Sequence, residues 1–520
     1  MFGFLKKKSQ GPVVYQRPEH CISRKNIDPD ALKVLYRLSS LGYTAYLVGG
    51  GVRDLLMGRK PKDFDVGTSA KPNEVKRAFR NCFLIGRRFR LAHVRFGEKV
   101  IETATFRKNA QTVGEILEHA AEGPLEDNEF GTPETDAFRR DFTVNGLFYD
   151  IRDFSVIDWV GGMKDIEAKV IRAIGDPNVR FVEDPVRMMR AVKFSSRLGF
   201  TIEKKTWSAM KKNHAAILTA SVPRVCEEVF RLFPYGHSAE AFRLLYECGM
   251  LGDLLPALAK FLARDGGAKS ATFKYLESLD RYEIMMAEKG FEVSNGLRAA
   301  VLMTAMFRAE KKDGASRRIM KALQDSLKSP KAVYFTGVTL MESTRRLSVS
   351  PSKGKSRFIH NRDFLDALDY NRIVLKAEKA SEKTLNEWAD LYEEKDEARY
   401  DEALAAYDEL AKEPPAGFAD VCAVGRAQSL EALKRYDEAA KEFDAFVAAN
   451  PKSYLKLTAQ LGSVRAVAQG GDKAKALKTL ETLKAEVKDD PVATARIENA
   501  EDLVKRFNPT ITSADGATTK

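Results

Sequence analysis

The chain has 520 residues and a formal net charge of +12, so it is long enough to form several domains, each with its own core. The residues from 395 onward include 19 Lys and Arg and 22 Asp and Glu, and those before 395 include 66 and 51. The excess of positive charge therefore lies before residue 395. It favours binding to a polyanion such as nucleic acid, or it merely aids solubility. No stretch approaches the roughly 18 consecutive apolar residues of a membrane span, which argues against a membrane protein.

The N-terminal part of the chain alternates between helix and strand patterns. Residues 29–42 have the apolar periodicity of an amphipathic helix. Short strands are predicted at 45–48, 63–66, 91–96 and 99–105, with helical stretches near 52–57 and 72–80 between them. This order predicts a small mixed α/β domain.

Helical periodicity dominates from about residue 180 to about residue 394, apart from a basic loop predicted at 346–356. Beyond this region the chain repeats itself, because related sequences occur at 399–404, 435–440 and, more faintly, 471–477. A period of about 36–40 residues, with a proline near the end of each copy, is typical of helix-hairpin repeats and resembles tetratricopeptide repeats.

The stretch from Tyr46 to Leu56 has the pattern of an apolar strand, a glycine turn and the start of a helix. Gly49 and Gly50 let the backbone approach a triphosphate closely, the helix start offers free N–H groups, and Arg53 adds a bidentate cation. A plain strand-to-helix turn is the alternative, but it needs neither Arg53 nor the acidic residues that follow. The stretch therefore predicts a triphosphate site.

Asp63 and Asp65 lie two residues apart in the next predicted strand, so both carboxylates project from one face while Phe64 and Val66 pack into the core. Converging carboxylates repel each other unless a cation lies between them, and oxygen ligands together with substrate phosphates suit Mg²⁺. An Asp-x-Asp pair alone is weak evidence, since many surface loops contain one. The glycine turn before the pair favours a metal site.

Metal-assisted phosphoryl-type transfer calls for a further carboxylate, and the sequence offers two. Glu102 points the opposite way from Ile101 in a predicted strand, and Asp141 follows Arg139 and Arg140. Glu102 is otherwise an ordinary solvent-facing strand residue, and the arginines are otherwise a surface charge cluster. Beside a nucleotide, the arginines would bind phosphate or ribose while Asp141 orders them.

Asp184, Arg187 and Arg190 lie three residues apart at the start of a predicted helix that begins at Pro185. Such a face can hydrogen-bond a base edge with side chains alone and so choose a nucleotide without a template. For the bare pattern, a helix stabilised by i,i+3 salt bridges is the favoured alternative.

Taken in order, five motifs resemble the class II nucleotidyltransferases, which include bacterial poly(A) polymerases and tRNA CCA-adding enzymes. The motifs occupy residues 49–54, 63–65, 139–145, 161–165 and 183–190. The resemblance is strong over residues 15–250 and looser to about 394. It implies that Asp63 and Asp65 bind the catalytic metals, two Mg²⁺ ions, with Glu102 or Asp141 as the further acidic member.

The same resemblance implies ATP as a substrate. Gly50 and Arg53 would hold its triphosphate, and Arg140, Asp184, Arg187 and Arg190 would read its ribose and adenine. Residues 17–24 and 85–94 are similar to the form typical of bacterial poly(A) polymerases. The implied function is template-independent addition of AMP to RNA 3′ ends, and the alternatives are CCA addition to tRNA and a repeat-based adaptor with a vestigial transferase domain.

The C-terminal part departs from the family, whose members commonly end in a strongly basic RNA-binding tail. The basic segments 307–331 and 344–362 are therefore alternative RNA contacts. The repeats are interpreted either as a docking module for a protein partner or as a stabilising appendage. The five cysteines are scattered without a C-x-x-C pair, which indicates a reducing cytoplasm rather than a disulfide framework or a zinc site.

The predicted fold class is α+β, with a small mixed-sheet nucleotidyltransferase head followed by an all-α neck and body and C-terminal helical-hairpin repeats. The predicted boundaries are 1–24 for an N-terminal extension, 25–160 for the head, 161–255 for the neck, 256–394 for the body, 395–508 for the repeats and 509–520 for a disordered tail.

Overall fold

The computed structural model describes residues 11–86, 90–97, 99–108, 130–310, 312–351, 356–415, 417–487 and 490–506. The tail predicted at 509–520, the first ten residues, and residues 87–89 of the motif at 85–94 lie outside these ranges. The chain divides into two compact units. The first contains residues up to 233 together with 237–273 and 325–329, and the second contains 234–236, 274–324 and the residues from 330 onward.

A mixed eight-stranded sheet forms the head of the first unit, in the order β1-β8-β7-β2-β3-β6-β5-β4. Strands β3 and β6 are parallel, and the other neighbours are antiparallel. The strands are β1 (Val13–Tyr15), β2 (Ala45–Val48), β3 (Asp65–Thr68), β4 (Cys82–Ile85), β5 (Leu91–Phe96), β6 (Lys99–Thr105), β7 (Leu147–Tyr149) and β8 (Val156–Asp158).

The strands predicted at 45–48, 91–96 and 99–105 are confirmed. The strand predicted at 63–66 instead begins at Asp65, so Asp63 precedes the sheet. The reason is that β2 ends at Val48, opposite Asp65, where the chain turns at Gly49. Asp63 and Asp65 therefore do not share a strand, although Val66 is fully buried as predicted.

The helix Pro29–Ser40 covers one face of this sheet. The carboxylate of Asp28 caps its first turn by accepting hydrogen bonds from the N–H groups of Asp30 and Ala31. Its apolar side chains share one core with residues of β2, β3, β5 and β6, as the periodicity predicts, and those fully buried are Ala31, Val34, Leu35 and Leu38. The opposite face carries a smaller cluster around Phe106 and Phe148, which also includes Tyr46, Val48 and Ala137.

Helices form the rest of the first unit, together with the short parallel pair β9 (Val170–Ile171) and β10 (Thr201–Ile202). The helices after Pro29–Ser40 are Gly50–Leu56, Pro72–Ala78, Pro133–Arg139, Gly162–Glu167, Pro177–Glu183, Val186–Leu198, Lys204–Asn213, Val222–Phe230, Ser238–Glu247, Met250–Leu254 and Pro256–Arg264. The predicted change from strand to helix near residue 180 is thus confirmed.

In the second unit, all the secondary structure among the described residues is helical. Its helices are Ala271–Glu288, which begins in the first unit, Asn295–Ala309, Ala315–Leu327, which ends in the first unit, Lys331–Leu347, Phe364–Glu378, Lys383–Leu410, Ala419–Ala432, Tyr436–Ala449, Lys456–Gln469, Lys473–Glu486 and Pro491–Arg506. The boundary predicted at 394–395 falls inside the helix Lys383–Leu410, because that helix carries the first copy of the repeated motif.

The last five helices pack on their neighbours in chain order through alanine, branched apolar and aromatic side chains. At one of these contacts a side chain on Gly462 would lie 2.6 Å from the ring of Phe443, so only glycine fits there. Among the described helices of either unit, none is both long and apolar enough to cross a membrane.

Candidate active site

Two glycines shape the turn that follows β2. Gly49 adopts a φ of +72°, and a Cβ there would lie 2.9 Å from Nη1 of Arg140. A Cβ on Gly51 would lie 3.3 Å from the carbonyl oxygen of Asp63. The turn therefore brings β2 close both to Arg140 and to the segment before β3, whereas a Cβ on Gly50 would only touch Arg53 at an ordinary 3.5 Å.

Asp65, Glu102 and Asp63 form an acidic group at the start of β3. Because Val66 pairs with Thr103 between the parallel strands, Asp65 lies beside Glu102 on the same face. Burial, the charge of Glu102 and then that of Asp63 raise the pKa of Asp65 to about 6, although Arg140 opposes the shift. The structure thus brings Glu102 together with the predicted pair.

The acidic group fits a divalent cation shared with a substrate. The pKa of Asp65 is raised first by burial and then by the charges of Glu102 and Asp63, and a cation between the carboxylates would relieve that repulsion. In the described part of the chain no three acidic, His or Cys side chains converge closely enough to enclose a metal ion. Protein oxygens would therefore provide part of the coordination, and phosphate oxygens would provide the rest.

Arg53 lies in a buried network. Its guanidinium donates hydrogen bonds to Oδ1 of Asp54 at 2.7 and 2.9 Å and to Oδ1 of Asn145 at 2.6 Å. Arg53 is 4% exposed, and the ring of Phe194 lies 5.3 Å from it. Asp54 orders the arginine, and most of the guanidinium already has protein partners. This arrangement favours Arg53 as a support of the turn more than as a direct phosphate ligand.

Asp136 holds the predicted arginines Arg139 and Arg140. It is 3% exposed, and its two oxygens accept hydrogen bonds from Nε of Arg139 at 3.0 Å and from Nη2 of Arg140 at 2.9 Å. Arg140 also donates from Nη1 to the carbonyl of Asn145 at 3.3 Å and lies over the ring of Phe148. Arg140 is thereby fixed beside Asp65, while Arg139 stays more exposed.

Asp141 forms an ion pair with Arg190, in which the carboxylate is largely buried and the guanidinium is partly exposed. Its Oδ2 accepts a hydrogen bond from Nε of Arg190 at 2.7 Å, and its Oδ1 accepts from Nδ2 of Asn145 at 3.1 Å. Burial by itself raises the pKa of Asp141, but the charge of Arg190 and these hydrogen bonds outweigh it and hold the pKa below its usual value. These contacts favour Asp141 as a residue that positions Arg190, which also lies 5.1 Å from the Phe194 ring.

Asp184 and Arg187 have different partners from those of an i,i+3 salt-bridged helix. Asp184 precedes the helix Val186–Leu198 and accepts two hydrogen bonds of 2.9 Å from Arg224. Arg187 donates to the carbonyl of Arg180 at 3.1 Å and pairs with Glu183 at 3.3 Å. Because Arg224 binds both oxygens of Asp184, it fixes the orientation of that carboxylate.

Sequence patterns gave no signal for several supporting residues. Arg180 donates to the carbonyls of Arg139 and Arg140 at 2.6 and 2.9 Å and so ties the helix Pro177–Glu183 to that turn. Arg224 likewise acts on Asp184, 40 residues away, and periodicity does not reveal such partners. Two residues do lie at helical spacing: Asp136 precedes Arg139 and Arg140 by three and four residues, and Phe194 lies four residues after Arg190 on one helix face.

The motif at 161–165 stabilises the motif at 139–145. A Cβ on Gly162 would lie 2.3 Å from the carbonyl oxygen of Thr143, so the two segments touch only because glycine stands there. Oδ2 of Asp165 accepts a hydrogen bond of 2.6 Å from the hydroxyl of Thr143. The conformation of the segment around Asp141 thus depends on a contact that both motifs supply.

Comparison with known proteins agrees with this geometry. Residues 45–172 match the family model described as "Poly A polymerase head domain". Residues 199–262 match the model described as "Probable RNA and SrmB- binding site of polymerase A". Neither match reaches the C-terminal helices.

Similar curated proteins match the same half of the chain. Poly(A) polymerase I of Escherichia coli O6:H1 is 48% identical over 262 residues, which are 49% of this chain and 56% of that protein. The CCA-adding enzyme of Lactobacillus helveticus is 38% identical over 224 residues, 43% of this chain and 54% of that protein. The chain thus spans little more than half the length of the curated relatives it matches.

Among solved structures, the CCA-adding enzyme of Bacillus stearothermophilus in complex with CTP superposes with a TM-score of 0.55 at 25% identity, covering 80% of this chain and all of that one. The similarity supports the predicted α+β head with a helical body. Residues 45–262 are therefore similar, in sequence and in fold, to the bacterial poly(A) polymerases and CCA-adding nucleotidyltransferases.

Proposed function

We propose that this chain is a template-independent polynucleotide adenylyltransferase, which adds AMP from ATP to RNA 3′ ends. The observation that carries the proposal is the grouping of Asp65 with Glu102 and Arg140 at the middle of the head sheet. Carboxylates beside a fixed arginine suit a reaction in which an RNA 3′-hydroxyl attacks the α-phosphorus of ATP and pyrophosphate leaves. Identity of 48% with poly(A) polymerase I favours adenylate as the added nucleotide.

The arginine side of the site would bind ATP. Arg140 beside Gly49 is suited to the phosphates, and Gly50 and Arg53 support the turn that approaches them. Asp184, fixed by Arg224, together with Arg187 and Arg190 would read the base and ribose by side-chain hydrogen bonds. Arg139, more exposed than Arg140, would contact a phosphate from the rim.

Asp63 and Asp65, with Glu102 beside them, would hold Mg²⁺. The ions would stabilise negative charge on the phosphate oxygens, which is the chemistry that two-metal sites supply. Glu102 is better placed than Asp141 as the further acidic residue, because it contributes to the raised pKa of Asp65, whereas Asp141 is neutralised by Arg190.

CCA addition to tRNA is the second candidate, supported by the CCA-adding relative at 38% identity. The two reactions differ in the nucleotides that they accept. The test gives the purified protein a generic RNA and, separately, tRNA lacking its 3′ end, with each nucleoside triphosphate in turn. ATP incorporation on both RNAs is expected, while CTP incorporation confined to tRNA would contradict the proposal.

The C-terminal helices are proposed as a docking module for a protein partner, acting in the cytoplasm. All five cysteines are free thiols, which is consistent with a reducing compartment. Exposed ion pairs and small buried residues, the features of a helical repeat surface, support the docking role. Deletion of residues 411–520, which begins after the helix Lys383–Leu410, should remove co-purifying proteins without changing AMP incorporation, and unchanged co-purification would contradict it.

A further inference from the structure

The sheet of the head continues well beyond the acidic group, on the side away from Arg140. In the strand order, Asp65 lies on β3, with β2 and β7 on one side and β6, β5 and β4 on the other. The glycine turn and the Phe148 ring under Arg140 belong to the β2 and β7 side. The acidic group thus lies between Arg140 on one side and the sheet face formed by β6, β5 and β4 on the other.

Register places one row of side chains across the face formed by β6, β5 and β4. Glu102 pairs with His93, and His93 pairs with Phe83, so these three residues project from the same face as Asp65. Nε2 of His93 lies 3.8 Å from Oε1 of Glu102, which confirms the shared face. Phe83 lies three strand spacings, roughly 14 Å, from Asp65, a reach of a few nucleotides of single-stranded RNA.

The far end of the row is exposed and aromatic. Phe83 is 55% exposed and Ile85, two residues further along the outer strand β4, is 51% exposed. Arg95, on β5, is also exposed and lies 5.9 Å from the Phe83 ring. An exposed ring with an arginine at its face is the arrangement that stacks a base and contacts a neighbouring phosphate.

Reaction geometry assigns an occupant to this surface. In phosphoryl-type transfer the attacking and leaving oxygens lie roughly in line, on opposite sides of the phosphorus. With the triphosphate on the arginine side of Asp65, the attacking RNA 3′-hydroxyl approaches from the side of Glu102. Resting on the proposed adenylyltransferase function, we propose that Phe83, Ile85 and Arg95 form a platform that binds the 3′-terminal nucleotides of the acceptor RNA.

Two substitutions in the full-length protein test the platform. Phe83→Ala should raise KM for a short single-stranded RNA by about fivefold or more and leave KM for ATP unchanged, because loss of base stacking affects only the RNA. Arg95→Ala should make the slope of log RNA affinity against log salt concentration shallower by about one unit. Leu41→Ala is the control, since Leu41 is 43% exposed at the end of the helix that covers the opposite face.

Fluorescence anisotropy with a labelled oligonucleotide separates this proposal from the proposed function, because it needs no catalysis. If the wild-type protein incorporates no nucleotide, the adenylyltransferase assignment fails, while weaker RNA binding by Phe83→Ala and Arg95→Ala still supports the platform. If both variants bind RNA as the wild type does, the platform is wrong. A change in oligomeric state with unchanged RNA binding would also overturn it, since a second copy would then be the occupant.

Discussion

The head of the first unit and the C-terminal helices of the second use charged residues in opposite ways. In the head, Arg53 is almost fully buried, and Asp141, whose side chain is 10% exposed, pairs with the partly exposed Arg190. Among the C-terminal helices, Lys412 and Glu409 form an ion pair with side chains 69% and 74% exposed. There the residues of the packed clusters are apolar, such as Ala439, Phe443 and Leu480.

The difference shows what each region is sensitive to. A buried charge depends on one or two specific partners, so removal of a partner leaves an uncompensated charge. A helix array stabilised by close packing tolerates changes of surface charge but not changes of volume at its contacts. The head should therefore respond strongly to electrostatic substitutions, and the C-terminal helices should respond to steric ones.

The largest effect is expected from Asp65→Asn. Loss of this carboxylate removes a proposed metal ligand, and we expect AMP incorporation into RNA to fall on the order of 10³-fold, as for loss of a catalytic acid or base. Asp313→Asn changes an exposed loop carboxylate in the second unit and should leave incorporation unchanged. An active Asp65→Asn variant would contradict the acidic group as the catalytic centre.

Arg190→Ala should destabilise the first unit by about 3 kcal/mol, because it leaves Asp141 buried without its cation. Urea unfolding of the variant and the wild type measures the loss. The double variant Asp141→Leu, Arg190→Met removes both charges and should recover much of the stability. Equal destabilisation by the single and double variants would mean that the charge pair is not the cause.

The pKa of Asp65 predicts a pH dependence of stability in metal-free protein. A carboxyl whose pKa rises from 3.8 to about 6 on folding binds its proton more tightly in the folded chain, so stability should fall as pH rises from about 4 to about 6. Asn at position 65 carries no charge, so Asp65→Asn should be more stable than the wild type by about 2 kcal/mol at pH 7 and similar to it at pH 4. If the difference in stability between the variant and the wild type were the same at every pH in this range, the raised pKa of Asp65 would be contradicted.

Gly462→Ala brings a steric change into the C-terminal helices. The new methyl group would meet the Phe443 ring, so we expect a loss of about 1.5 kcal/mol in the stability of this region with unchanged AMP incorporation. Gly252→Ala, in the helix Met250–Leu254, meets no atom within 4 Å and is the matched control. Lost activity in Gly462→Ala would mean that the array supports catalysis.

Local patterns predicted the parts of the head that a few neighbouring residues determine. Alternation in β6 indicated the direction of Glu102, and the glycine turn indicated the approach of β2 to the site. The start of β3 was misplaced, because it depends on where the partner strand β2 ends. For the same reason Arg224 was missed, since its partner Asp184 lies 40 residues away in the chain. Asp136 was missed although it precedes Arg139 and Arg140 by three and four residues, a helical spacing that could have revealed it.

The smallest effect is expected from Lys412→Ala. Its ion pair with Glu409 is 2.7 Å long but fully accessible to water and salt, so its removal should change stability by less than about 0.5 kcal/mol. Thermal unfolding at low and high salt measures this, and the difference between variant and wild type should vanish at high salt. A loss comparable to that of Arg190→Ala would contradict the contrast between the two regions, because it would show that an exposed pair stabilises the C-terminal helices as strongly as a buried pair stabilises the head.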